Sequence, residues 1–248
     1  MTDEITVYWA PAHDDVDGNP FNMLYRKPES LMSFVHGEKT PESTQQTCPA
    51  MKDRLNNVFV LRSSIDEIFD LDPEVIERSQ QEVLNRVKYD VKSTVDITKI
   101  RPSNLNGYYP LTYNMNWLFF SDEPLMMKFT APYYPAISPI RGSVMAAGEY
   151  DIGRWFRNAT LDYHVPYGQY HFEIRKGDPL AFVEFDTDKK IVFKRFEPNE
   201  VLIKYHHESV LSIGRYGKNK SLEERYQMAE DADFPKMVLH EIKKNVIE

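Results

Sequence analysis

A single cysteine, Cys48, is all the chain contains, so no disulfide closes within it and no cysteine-rich zinc site forms. Cys48 sits before Pro49 in a segment that reads as loop, with no local partner that would activate a thiol. Glycine is also scarce, at 10 residues. No phosphate-cradling glycine loop, dinucleotide fingerprint or Gly-x-Ser-x-Gly elbow is present, so the usual nucleotide and hydrolase signatures are missing. Basic charge is in deficit, with 30 Lys and Arg against 38 Asp and Glu, a net charge of −8. That balance argues against broad, sequence-independent nucleic-acid binding, which needs cations to neutralise phosphates. Lys189-Lys190, Lys194-Arg195 and Lys218–Lys220 are short basic runs that read as solvated strand ends. No apolar run approaches the about 18 residues of a membrane span, and MTDEITVYWAPAHDD has neither the basic nor the apolar region of a signal peptide. The expectation is a cytoplasmic protein with no membrane partner.

Aromatic residues, by contrast, are abundant: 15 Tyr, 14 Phe and 3 Trp make up 13% of the chain. Flat amphipathic rings favour strands and interfaces. A chain of 248 residues buries roughly 70–75% of its unfolded surface, enough for a full core.

The pattern along the chain is mainly that of strands. Ile5–Trp9 and Asn57–Ser63 read as strands, and residues 37–47 as a polar surface loop. Asp72-Pro73-Glu74 carries helix-start signals, and Val75, Ile76, Val83, Leu84 and Val87 share a face, predicting a helix to about Tyr89. From Val95 to about Tyr216, runs such as PLTYNMNWLFF, ATLDYHV, YHFEIRKG, LAFVEFD, KKIVFKRFE and EVLIKYHH alternate with Pro and Gly, as strands of a sandwich or barrel do. Ser221-Leu-Glu-Glu224 fits a capping box, and Pro235 opens a segment with Val238, Leu239, Ile242 and Val246 at helical spacing. The fold class expected is mainly β (β-sandwich, jelly-roll or β-clip-like) with flanking helices. It divides into an N-terminal α/β extension (1–94) packing on the sheet, a central β domain (95–216) and a C-terminal helical segment (217–248), together one compact unit.

Residues 148–186 are the most distinctive stretch. Lys176-Gly177-Asp178-Pro179 is a tight turn between two strands, and Asp151-Ile-Gly153 precedes Arg154-Trp155. The order of Asp151 and Gly153, then a hairpin, then Gly177, Asp178, Leu180, Ala181 and Phe185 resembles the core of the dUTPase and dCTP-deaminase superfamily. The resemblance implies a β fold, nucleotide hydrolysis or deamination, and a role for Asp151 in catalysis. The pattern departs from that family where Arg62-Ser63-Ser64 comes far too early, Arg154-Trp155-Phe156 replaces Tyr-Arg-Gly, and the C-terminus reads as helix rather than a Gly-rich arm. The residue-level alternative is that Asp151 is a turn or cap residue.

A metal reading rests on His13 and Asp15, a His-x-Asp pair, with His164 or His171 as the distant ligand and Arg175 beyond. It resembles the iron/2-oxoglutarate dioxygenases, whose two histidines and one carboxylate hold non-haem iron. Read from spacing alone, these are strand and turn residues. His206 and His207 would point to opposite faces of a strand.

Arg154, Trp155, Gly177, Asp178, Trp117, Tyr133 and Tyr134 are the candidates for ligand or interface contact, because aromatic, Pro-punctuated loops suit partner surfaces. Across its length, on Cys48-Pro49-Ala50, Asn57–Ser63, Gly153-Arg154-Trp155 and Lys176–Pro179, the chain resembles uncharacterised proteins of tailed bacteriophages and some bacteria. That resemblance implies no activity, and places the protein in host cytoplasm or a virion. The function expected is a non-enzymatic β-rich assembly or binding protein, forming a homo-oligomer and taking a nucleotide or protein partner. A dUTPase-like enzyme and an iron oxygenase are the alternatives; no cofactor is specified.

Overall fold

The computed structural model describes residues 3–11, 25–37, 49, 55, 57–70, 84–87, 96–97, 105–133, 140–146, 148–215 and 220–247. In chain order its elements are β1 (Glu4–Pro11), β2 (Glu29–Ser30), α1 (Leu31–Gly37), β3 (Val58–Arg62), β4 (Glu67–Asp70), β5 (Leu84–Val87), β6 (Asp96–Ile97) and β7 (Tyr108–Ser121). There follow β8 (Met126–Thr130), β9 (Val144–Ala146), β10 (Gly148–Asp151), β11 (Asn158–Pro166), β12 (His171–Ile174), β13 (Pro179–Phe185) and β14 (Lys190–Arg195). Three helices close the order: α2 (Glu200–Arg215), α3 (Leu222–Asp231) and α4 (Phe234–Lys244). The fold is mainly β with flanking helices.

The strands form three sheets. The first runs β14-β1-β7-β11-β9, with β6 beside β7; the second runs β10-β8-β13-β3-β2; the third is β12-β4-β5. β1 lies parallel to β14 and antiparallel to β7. β1 and β3, which come from the segment expected as an N-terminal extension, are interior strands of the two larger sheets.

Alternation on β7 explains the layering. Tyr109, Leu111, Tyr113, Trp117 and Phe119 point into the main core, which the second and third sheets cover with Phe59, Leu61, Met127, Phe129, Val183, Phe69 and Ile174. Leu118 and Phe120, of opposite parity, enter a second core with Leu202, Val238 and Ile242 of the C-terminal helices. α1 covers the far side of the second sheet, where Leu31, Phe34 and Val35 meet Val58, Val60 and Phe182. The result is a sandwich with helices on both outer faces. β1, buried on both sides, reads as a near-continuous apolar run for that reason.

Two expected elements differ. Leu84–Val87 is strand, not helix: it pairs antiparallel with β4 from Asp70↔Leu84 to Glu67↔Val87. Ladder hydrogen bonds to β4 outweigh its helical spacing, while residues 72–83 of the expected helix lie outside the described residues. EVLIKYHH is helix, not strand. Asn199 Oδ1 accepts the Leu202 amide at 2.9 Å, capping the first turn, and Leu202 and Ser209, seven residues apart, share its buried face. His206 and His207 are therefore neighbours on a helix. The expected capping box is present, with Glu224 N donating to Ser221 Oγ and Ser221 N to the Glu224 carboxylate.

Candidate functional site

The Asp151–Trp155 turn leaves β10 and crosses to β11 beneath α3. Asp151 is buried, and its Oδ1 accepts the amides of Leu125 (2.9 Å) and Gly153 (2.8 Å). Its carbonyl accepts from Trp155 N at 3.0 Å. The carboxylate thus ties β8's approach to the turn. Gly153 is required by crowding: a Cβ there would collide with the Glu123 carbonyl oxygen and lie 2.7 Å from that carbonyl's carbon. Backbone against backbone leaves no side chain to move aside.

The turn is where α3 docks. Asp151 N donates to the Tyr226 hydroxyl at 2.7 Å. Arg154 Nε reaches Glu230 at 2.7 Å and its Nη2 reaches Glu223 at 3.1 Å, while its guanidinium lies 4.7 Å from the Tyr226 ring. These carboxylates hold the Arg154 guanidinium above its ordinary pKa. Glu223 is 72% exposed, so its ion pair contributes at most about 1 kcal/mol. Tyr226, the one buried side chain of α3, contributes more, through about 2 kcal/mol of ring burial and its hydrogen bond to a buried amide.

Between this turn and the helices lies a cavity of about 460 Å³. Trp155, Tyr226, Met228, Ala229, Ala232 and Phe234 give it a largely apolar lining, with Arg154 and Glu208 among its polar residues. Both are paired, Arg154 with Glu223 and Glu230, and Glu208 with Lys204 at 4.0 Å. The volume falls within the range of small-ligand pockets.

The other expected residues go elsewhere. Gly177 (φ +92°) and Asp178 form the β12–β13 turn. Asp178 Oδ2 accepts Arg175 N at 2.8 Å, and Gly177 N donates to Ser63 O at 2.9 Å. This clips the turn to the end of β3, about the third sheet and away from Asp151. Trp117 is 3% exposed, packed edge-on against Tyr25, so it is core rather than surface. Tyr133 packs edge-on against Phe182 at 4.8 Å. Tyr134, His13 and Asp15 lie outside the described residues. His164 is on β11 of the first sheet, and His171 on β12 of the third, its Nδ1 2.7 Å from Asp70. Among the described residues no three His, Cys, Asp or Glu side chains gather as a metal site.

Sequence reasoning missed Tyr226, Phe234 and Glu67. Tyr226 had a signal, as the lone aromatic of a polar helix. Glu67 had one too: it shares the inward parity of Ile65 and Phe69. It is fully buried, accepts the Tyr113 hydroxyl at 2.6 Å through Oε2, and leaves Oε1 without a partner. Burial pushes its carboxyl up to about 7, outweighing the Tyr113 hydrogen bond that lowers it. Burial, with the Glu67 charge, holds the Tyr113 phenol well above its ordinary range.

Fold and site together define a helix-capped β-sandwich with an apolar pocket at the seam between sheet and helices. No family model, curated protein or solved structure matches the chain. No helix among the described residues is long and apolar enough to cross a membrane.

Proposed function

We propose that the protein is a non-enzymatic binding and assembly module whose seam pocket receives a small apolar or aromatic group. The observation that carries this reading is the pocket's make-up: aromatic and aliphatic walls around about 460 Å³, with Arg154 and Glu208 already ion-paired. Such a site offers desolvation and ring contacts. Asp151, the residue on which nucleotide chemistry was expected to rest, has its Oδ1 engaged by two backbone amides, which supports binding over the dUTPase-like alternative.

The test is a fluorescence titration with a neutral apolar dye, N-phenyl-1-naphthylamine. The expected result is saturable one-site binding that weakens about tenfold in Trp155→Ala, as loss of a large ring contact does. Circular dichroism verifies that the variant is folded. Absence of saturable binding, or equal binding by the variant, contradicts the reading.

Self-association is a second reading, favoured by a specific patch. Leu105, Val144 and Tyr167 are exposed apolar residues at one end of the first sheet, where Tyr167 N donates to Gly107 O and β9 is the terminal strand. Exposed apolar residues on a strand edge suit pairing with another copy. Light scattering is expected to find a dimer or larger assembly that Val144→Lys returns to monomer. A monomeric parent protein excludes it.

A further inference from the structure

Much of the seam pocket's wall comes from one helix, and that helix is lightly held. Arg225, Tyr226, Met228 and Ala229 of α3, with its C-cap Ala232, line the cavity. Phe234, which also lines it, opens α4. α4 is rooted: Val238 and Ile242 are fully buried in the second core with Leu202 of α2. α3 has no such root. Tyr226 is its one buried side chain, and Leu222, at its start, is an exposed apolar residue.

The ties from α3 to the sandwich converge on the turn after β10. The Tyr226 hydroxyl accepts the Asp151 amide at 2.7 Å, and the Tyr226 ring lies edge-on to Trp155 at 6.4 Å. Arg154 adds charge, bonding Glu223 and Glu230, whose side chains are 72% and 39% exposed. Ion pairs that reach so far into solvent are weak and are screened by salt. The capping box and the Gln227–Asp231 hydrogen bond (2.9 Å) lie within the helix and give it no hold on the body. At its far end α3 meets α4 at Asp233, whose φ of 52° is the one positive value of a non-glycine among the described residues. A side chain adopts that conformation at a cost, and keeps it where the surrounding structure demands it.

We infer that α3 is a hinged wall. It docks through Tyr226 and Arg154 to assemble the seam pocket, and undocks about Asp233 to dismantle it. Ligand binding and helix docking are then one linked equilibrium, because Met228 and Ala229 are in place for a ligand only when α3 is docked. This rests on the seam pocket's being a place of binding, and adds how that binding is controlled. The turn supplies its own reporter. The Asp151 amide loses its acceptor when Tyr226 leaves, whether or not the helix itself unravels. Off its surface a helix of 10 residues is marginal, so its own amides open as well.

The test is native-state hydrogen exchange of the full chain, followed by nuclear magnetic resonance with and without N-phenyl-1-naphthylamine. Without the dye, the amides of Asp151 and α3 are expected to exchange together, at least about a hundredfold faster than those of β7. Dye at about nine times its Kd is expected to slow that set about tenfold, since the undocked state cannot hold it. Arg154→Gln is expected to speed the same set about tenfold in the free protein, the loss of two ion pairs. Glu230→Gln, a change nearer solvent that leaves the fold alone, acts in the same direction by about threefold. Exchange of Asp151 and α3 no faster than that of β7 overturns the hinge and leaves the pocket reading standing. Fast exchange that bound dye does not slow overturns the linkage. Exchange unchanged in both variants removes Arg154 as the latch. Absence of saturable dye binding defeats the pocket reading itself, and the inference with it.

Discussion

Replacing Glu67 by glutamine is expected to make the protein more stable at pH 8 while changing it little at pH 4.5. Glu67 titrates at about 7 in the folded protein against 4.5 for a free glutamate side chain. Its folded pKa is raised, so the native state holds the proton more tightly than the unfolded chain. The stability this provides is complete below about pH 4.5 and drains away as pH rises through about 7. A displacement of that size corresponds to about 3 kcal/mol. Glutamine keeps an oxygen to accept the Tyr113 hydroxyl and cannot ionise. The hydrogen bond it accepts among the described residues comes from the Tyr113 phenol, which burial and Glu67 hold well above its ordinary range, so that partner stays neutral at both pH values. Urea unfolding of both proteins at pH 4.5 and 8 reads the difference directly, since every carboxylate outside this pair contributes equally to each. A difference that is flat with pH would mean Glu67 is hydrated and ionised in the native state.

Gly153→Ala is expected to cost several kilocalories per mole, about 3 kcal/mol or more, for a single added methyl group. The obstruction is the Glu123–Pro124 backbone, with the Pro124 Cα at 3.0 Å from the methyl position. Moving that backbone disturbs the Leu125 amide held by Asp151 and hence the turn on which Tyr226 rests. Overpacking against a rigid neighbour is among the few mechanisms that produce losses of this size. Thermal unfolding gives the magnitude, and hydrogen exchange gives the location: amides of α3 should lose protection before those of β7. A variant as stable as its parent would show that the turn is looser than its geometry indicates.

Much of the sandwich was legible. β11 and β12 alternate buried and more exposed residues, β7 and β13, which bury both faces over part or most of their length, show as apolar runs with Pro or Gly boundaries, and the α3 capping box is a local signal read from four residues. α2 was not legible. Val201-Leu202-Ile203 followed by Tyr205 satisfies a period of two as well as one of 3.6, and the arbiter is the surface that Leu202 meets in the second core. β5 failed for a related reason, its partner β4 being set by the fold rather than by its own residues.

The site was half legible. Asp151, Gly153, Arg154 and Trp155 were singled out from a turn motif, and they do cluster. Their role was not readable, because it depends on partners far along the chain: Tyr226 for the Asp151 amide, Glu223 and Glu230 for Arg154. The residue-level alternative for Asp151, a turn residue, describes its two amide bonds. Gly177 and Asp178, which the resemblance joined to Asp151 in one order of motif residues, form a clip with Ser63.

Binding in the seam pocket is settled by locating a bound probe. Nuclear Overhauser contacts from N-phenyl-1-naphthylamine to methyl-labelled protein would be measured at saturation. Contacts are expected to the Met228 methyl and to the Ala229 and Ala232 methyls that line the cavity. A probe that binds while those three methyls stay silent contradicts binding there, since the affinity would then belong to another surface.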